Sequence, residues 1–153
     1  MAGNKRPRKK YRPKHVGGNQ LPVTIRYSAK SEFDLQFIPH TELDNIMAGT
    51  GNEFSLGAIN FRINWGYVMS GETFDNPEVR ESMERATDAM RSVIDRYKRL
   101  QKVGCTGEEY RLIGEGLRLT DQMQASSTRR EQLEAVRIVD AIVEWKLEGP
   151  GNA

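Results

Sequence analysis

Seven residues spaced 4, 3, 4, 3, 4, 3 apart constrain this chain more than any other feature: Val79, Met83, Ala86, Met90, Val93, Tyr97 and Leu100. That spacing puts them on one stripe of a single helix running from Asn76 to Gly104. The ends carry matching signals. Asn76 suits the N-cap and Pro77 the first helical position, where the missing N–H is not needed. Lys98, Arg99 and Lys102 complement the dipole near the C-terminus, and Gly104 is the expected stop. The stripe needs a cover. A dimer seam is one way to supply it, but Met83, Ala86, Met90 and Tyr97 are not the β-branched and leucine set of a committed zipper, which favours an intramolecular core.

Apolar periodicity places further helices around this one. Thr41 opens a short helix with Leu43, Ile46 and Met47 on one face, ended by Gly49-Thr50-Gly51. Residues 52–70 fit a helix through Phe54, Ala58, Phe61, Trp65 and Val68, or a strand through Ile59, Phe61, Ile63, Trp65 and Tyr67. Length and the Asn52 cap favour the helix, with Trp65 as a core anchor. Gly57 and Gly66 weaken it by about 1 kcal/mol each unless they serve close helix approach. Thr106 and Glu109 form a capping box for a helix reaching about Ala125, where Gly114 and Gly116 again suggest tight packing. Thr128 and Glu131 form another, for a last helix carrying Leu133, Val136, Val139, Ile142, Val143 and Leu147; its β-branched density leaves a strand as the competitor.

The N-terminal part reads differently. Leu21, Val23, Ile25 and Tyr27 alternate with polar residues, and so do Phe33, Leu35 and Phe37, which argues for a short β-hairpin. A helix over 30–38 competes, and Pro39 is expected to stop either. The fold expected is therefore mainly α: a four- to five-helix bundle with a short N-terminal β-hairpin and a disordered basic arm. Residues 1–20 form the arm, 21–148 a single helical domain and 149–153 a flexible tail.

Charge is segregated along the chain. Residues 1–15 contain Lys5, Arg6, Arg8, Lys9, Lys10, Arg12 and Lys14 and no acid, leaving 16 basic against 21 acidic residues in the rest. Seven cations in ten residues suit a polyanion, held by counterion release, with Tyr11 able to stack on bases. The candidate nucleic-acid-binding residues are therefore Lys5, Arg6, Arg8, Lys9, Lys10, Tyr11, Arg12 and Lys14. The bland alternative is a solubilising terminus.

Catalytic and cofactor chemistry find little footing. His15 and His40 are the only histidines, and neither has a nucleophile and orienting acid at a telling spacing. Cys105 lies just outside a helix N-cap, where a thiol is usually passive. Gly49-Thr50-Gly51 lacks the Lys-Ser/Thr of a phosphate loop, and no Cys-x-x-Cys or His-Glu-x-x-His occurs, so no metal and no cofactor is expected. No stretch approaches the roughly 18 apolar residues of a membrane span, and the basic N-terminus lacks the apolar run of a secretory signal. One cysteine excludes an intramolecular disulfide, in keeping with a reducing cytoplasm.

Several segments together resemble a known group: the arm with Lys9-Lys10-Tyr11-Arg12-Pro13; Pro39-His40-Thr41-Glu42-Leu43 leading to Gly49-Thr50-Gly51; Leu56 and Asn64-Trp65-Gly66; and Thr106-Gly107-Glu108-Glu109 followed by Leu119-Thr120-Asp121. The chain resembles small, mostly uncharacterised helical accessory proteins of proteobacterial phages, prophages and plasmids. The resemblance implies a mobile-element context in a bacterial cytoplasm and carries no functional residues over. Two functions follow as expectations. One is a non-enzymatic accessory protein gripping nucleic acid, without sequence preference, through its arm. The other is a protein-binding inhibitor of host machinery, such as a defence system, in which acids such as Glu78, Glu81, Glu84, Asp88 and Asp95 engage a host protein complex; an ordinary solvated face is the plainer reading of those acids.

Overall fold

The computed structural model describes residues 29–148, and the side chains of residues 34–141 among them. Five helices follow one another: α1 (Ala29–Ala48), α2 (Glu53–Glu72), α3 (Pro77–Leu100), α4 (Gly107–Ser126) and α5 (Arg129–Glu148). The described residues contain no strand. The expected arm and the first expected strand lie outside them. Short connections join them: α1 and α2, α2 and α3, and α3 and α4 pack as neighbours, whereas α5 packs against α2.

Local signals set the helix starts. Asn52 caps α2 through its side chain, which accepts from the Ser55 N–H, while the Asn52 N–H donates to the Ser55 hydroxyl. Asn76 accepts from the N–H groups of Glu78 and Val79 at the head of α3. Thr106 and Glu109 close a reciprocal box on α4, and Thr128 and Glu131 close one on α5. Each satisfies N–H groups that a helix start otherwise leaves without a partner. The Arg96 guanidinium grips both oxygens of Glu109 at 2.6 and 2.9 Å, tying α3 to the head of α4 and holding the Glu109 carboxyl below its usual range.

Three boundaries differ from the sequence reading. The expected second strand at 33–37 is helical, and α1 runs unbroken through Pro39. The alternating residues do not share a buried face: Leu35 and Phe37 are exposed, whereas Pro39, Leu43 and Ile46 are buried, at helical spacing. Burial of that face against α2 and α4 outweighs the hydrogen bond that Pro39 cannot donate. α2 runs to Glu72, two residues beyond the stretch read as 52–70. The third difference is at the end of α3, which stops not at Gly104 but at Gln101, a left-handed residue with φ 54°. The Gln101 N–H closes the last turn on the Tyr97 carbonyl, and its side-chain amide donates to the carbonyls of Tyr97 and Lys98.

The stripe that organises the sequence is largely buried within the chain. Met83, Ala86, Met90 and Val93 are buried, Val79 and Tyr97 half-buried, and Leu100 exposed. α2 and α4 provide the cover. The helix with neighbours on most sides, however, is α2. It packs against α1, α3, α4 and α5, and buries residues around its circumference, among them Leu56, Ile59, Ile63, Trp65, Val68 and Met69.

Two glycines set how closely α2, α3 and α4 approach. A Cβ at Gly66 would stand 2.0 Å from the Thr120 hydroxyl and 2.9 Å from Met83, and one at Gly116 would stand 2.5 Å from the Ala86 Cβ. Gly57 has nothing within 4 Å of such an atom, and Gly114 meets only Leu43, at 3.7 Å. Tight packing therefore holds for Gly66 and Gly116 and not for the other two. Alanine is expected to act with opposite signs at these sites in urea unfolding. Gly66→Ala and Gly116→Ala should each destabilise by about 1–3 kcal/mol through overpacking, while Gly57→Ala should stabilise by about 0.5–1 kcal/mol through helix propensity.

Candidate functional site: a buried arginine beneath an apolar groove

Between Phe54 and Met69 the sequence carries a single charge, Arg62, in the middle of α2. It is only 6% exposed. A guanidinium in such a place needs partners, because an uncompensated buried charge costs several kcal/mol. α4 supplies them. Arg62 Nη2 donates to Asp121 Oδ1 at 2.8 Å and to Gln124 Oε1 at 2.5 Å. Its guanidinium carbon sits 4.7 Å from the centre of the Trp65 ring, within cation–π range. Nε finds no hydrogen-bond partner among the described residues. Burial lowers the affinity of this guanidinium for its proton, and the bond and charge of Asp121 oppose that effect.

The cluster extends to both sides. The other oxygen of Asp121 lies 2.8 Å from His40 Nε2, so α1, α2 and α4 meet at one carboxylate. The Trp65 indole N–H donates to the Gln132 carbonyl at 3.2 Å, and the Gln132 side-chain amide donates to the Gln124 carbonyl, which brings in α5. Among the described residues no hydroxyl or thiol bonds His40. Asp121 thus bridges a guanidinium and an imidazole, an arrangement that clamps helices together and lacks the nucleophile of a triad.

Above Arg62 and Trp65 lies a groove of about 610 Å³. α1 contributes Asp34, Leu35, Ile38 and Pro39, α2 contributes Ala58 and Phe61, and α5 contributes Leu133 and Val136. It is largely apolar. Leu35, Ile38 and Phe61 remain 41%, 38% and 37% exposed there. The groove exists because α1 and α5 both lie against α2 and leave space between them.

The candidate nucleic-acid-binding residues Lys5, Arg6, Arg8, Lys9, Lys10, Tyr11, Arg12 and Lys14 lie outside the described residues. Cys105 touches the Met47 sulfur at 3.8 Å, and burial with the nearby Glu109 charge pushes its thiol up, away from a reactive thiolate. Trp65 is a core anchor, as read from the sequence. No three His, Cys, Asp or Glu side chains among the described residues are placed to hold a metal ion. No helix among the described residues is long and apolar enough to cross a membrane. Sequence reasoning missed the Arg62 cluster. Its one signal was a lone cation in an apolar helix; Asp121 and Gln124 follow 59 and 62 residues later. Comparison with family models, curated proteins and solved structures finds no match to this chain.

The two ends of the central ion pair differ in access to water: the Arg62 side chain is 7% exposed and that of Asp121 27%. Asp121→Ala strands a charge that cannot rehydrate and should cost about 3–5 kcal/mol in chemical denaturation. Arg62→Met leaves a carboxylate that can reach water and should cost clearly less.

Proposed function

We infer that the chain is a non-enzymatic accessory protein of a mobile element, acting in the cytoplasm of a bacterial host, which binds nucleic acid without sequence preference through Lys5, Arg6, Arg8, Lys9, Lys10, Tyr11, Arg12 and Lys14. The observation that supports it most is where the body's own cations go. Arg62, Arg80, Arg85, Arg91, Arg96, Arg111 and Arg137 each pair with a carboxylate of the same chain. These arginines face acids already, and the body around them carries an excess of acid. The arm has seven cations and no acid of its own. A phosphate backbone is therefore attracted to the arm and repelled by most of the body. The resemblance to phage and plasmid accessory proteins supplies the setting.

The alternative is a protein-binding inhibitor of host machinery acting through the acidic helical body. It draws less support from the geometry. Of the acids on α3 suited to that role, Glu81, Glu84 and Asp88 pair with Arg85, Arg80 and Arg91. Interleaved charge of both signs suits a solvated face better than a mimic of nucleic acid.

Fluorescence anisotropy with a short DNA duplex and a single strand tests the reading. The full chain should bind at low salt, with a duplex slope of log affinity against log salt no steeper than about −6, the limit set by seven phosphate contacts. Removing residues 1–14 should abolish binding. Undiminished binding by the shortened chain would refute the assignment.

A further inference from the structure

The floor of the groove between α1 and α5 holds hydrogen-bonding capacity that the fold leaves unused. Arg62 lines the groove and is more than nine-tenths buried. Its bonds to Asp121 and Gln124 both leave from Nη2. Nε, shut off from solvent, donates to nothing among the described residues, and Nη1 makes no hydrogen bond to them either. A guanidinium offers N–H groups at every nitrogen, and burying such donors unmatched is unfavourable. We propose that the groove binds a small neutral molecule, a mostly hydrocarbon body with one hydrogen-bond acceptor, such as a carbonyl oxygen, turned toward the Arg62 guanidinium.

Three observations set that chemistry. The first is shape and lining. The groove encloses about 610 Å³, a volume suited to a small organic molecule, and its walls present Leu35, Ile38, Phe61, Leu133 and Val136. Those walls gain free energy from an apolar cover. The second is charge balance. Asp121 already neutralises Arg62, and the lining carries one further charge of each sign, Asp34 and Arg129. A carboxylate at Arg62 would stand against that of Asp121, and an ammonium would stand against the guanidinium itself. A neutral acceptor meets neither cost. The third is rigidity. Asp121 and Gln124 hold Nη2, and the Trp65 ring lies 4.7 Å from the guanidinium carbon. The donors are therefore fixed before a ligand arrives, which lowers the entropy lost on binding.

A ligand seated there touches α1, α2 and α5 at once and completes the enclosure of α2 on its open side. The proposal stands independently of what the basic residues near the N-terminus bind.

An NMR titration of the full chain with three probes of similar shape tests it: benzophenone, which carries a carbonyl; diphenylmethane, which lacks one; and diphenylacetate, which carries a charge. Benzophenone should shift the Arg62 Nε–H, the Trp65 indole N–H and the methyls of Ile38, Leu133 and Val136 saturably. It should bind about tenfold tighter than either of the other two. Arg62→Met should erase the preference for benzophenone over diphenylmethane. Ala58→Trp, which fills the groove and leaves Arg62 in place, should abolish the shifts with the Met83, Ile113 and Leu117 signals unmoved. A full chain whose groove signals shift with none of the probes would overturn the proposal. So would equal affinity for benzophenone and diphenylmethane, tightest binding by diphenylacetate, or a preference for the carbonyl that survives Arg62→Met.

Discussion

A helix with apolar residues around most of its circumference is stable in water only when neighbours cover it, and α2 is such a helix. Its requirement organises the other four. α1, α3, α4 and α5 each lie against it, and Gly66 and Gly116 let α2, α3 and α4 come close enough to interlock. The long α3 stripe then acts as one wall of that enclosure. Its outer face is left to charges that pair with each other in solvent, where each pair contributes only about 0.3–0.5 kcal/mol.

Arg62 makes the enclosure specific. Apolar faces alone tolerate sliding of one helix along another. A buried guanidinium that must meet Asp121 and Gln124 does not, because a register shift would strand it. Asp121 passes the same demand to His40 on α1, and Trp65 passes it to Gln132 on α5. One charge in the hub helix thereby fixes the positions of three neighbours. The groove between α1 and α5 is the side on which this enclosure stays incomplete.

Much of this was legible in the sequence where the signal is local. Asn52, Asn76, Thr106 and Thr128 each marked a helix start, because a cap acts within three residues. The stripe of α3 was legible because one of its faces stays wet. α2 was harder to rank, since a helix buried on opposite sides shows no strong periodicity. Leu35 and Phe37 misled because alternation was read as a buried face, when both remain exposed and α1 is held by Pro39, Leu43 and Ile46. Gln101 replaced Gly104 as the stop: its N–H closes the last turn on Tyr97 and its side-chain amide reaches the Lys98 carbonyl. The Arg62 cluster was illegible for a different reason: its members are distant in sequence and come together only once the helices pack.

If α2 is the hub, its backbone amides open only when everything around it does. Native-state hydrogen exchange as a function of denaturant measures this directly. Amides from Ile59 to Met69 should exchange through global unfolding alone, with the free energy and denaturant dependence of the whole molecule. Amides of the outer helices should exchange through smaller openings or through the same global event. Exchange of α2 through a partial opening, while α3 and α4 stay protected, would contradict the account.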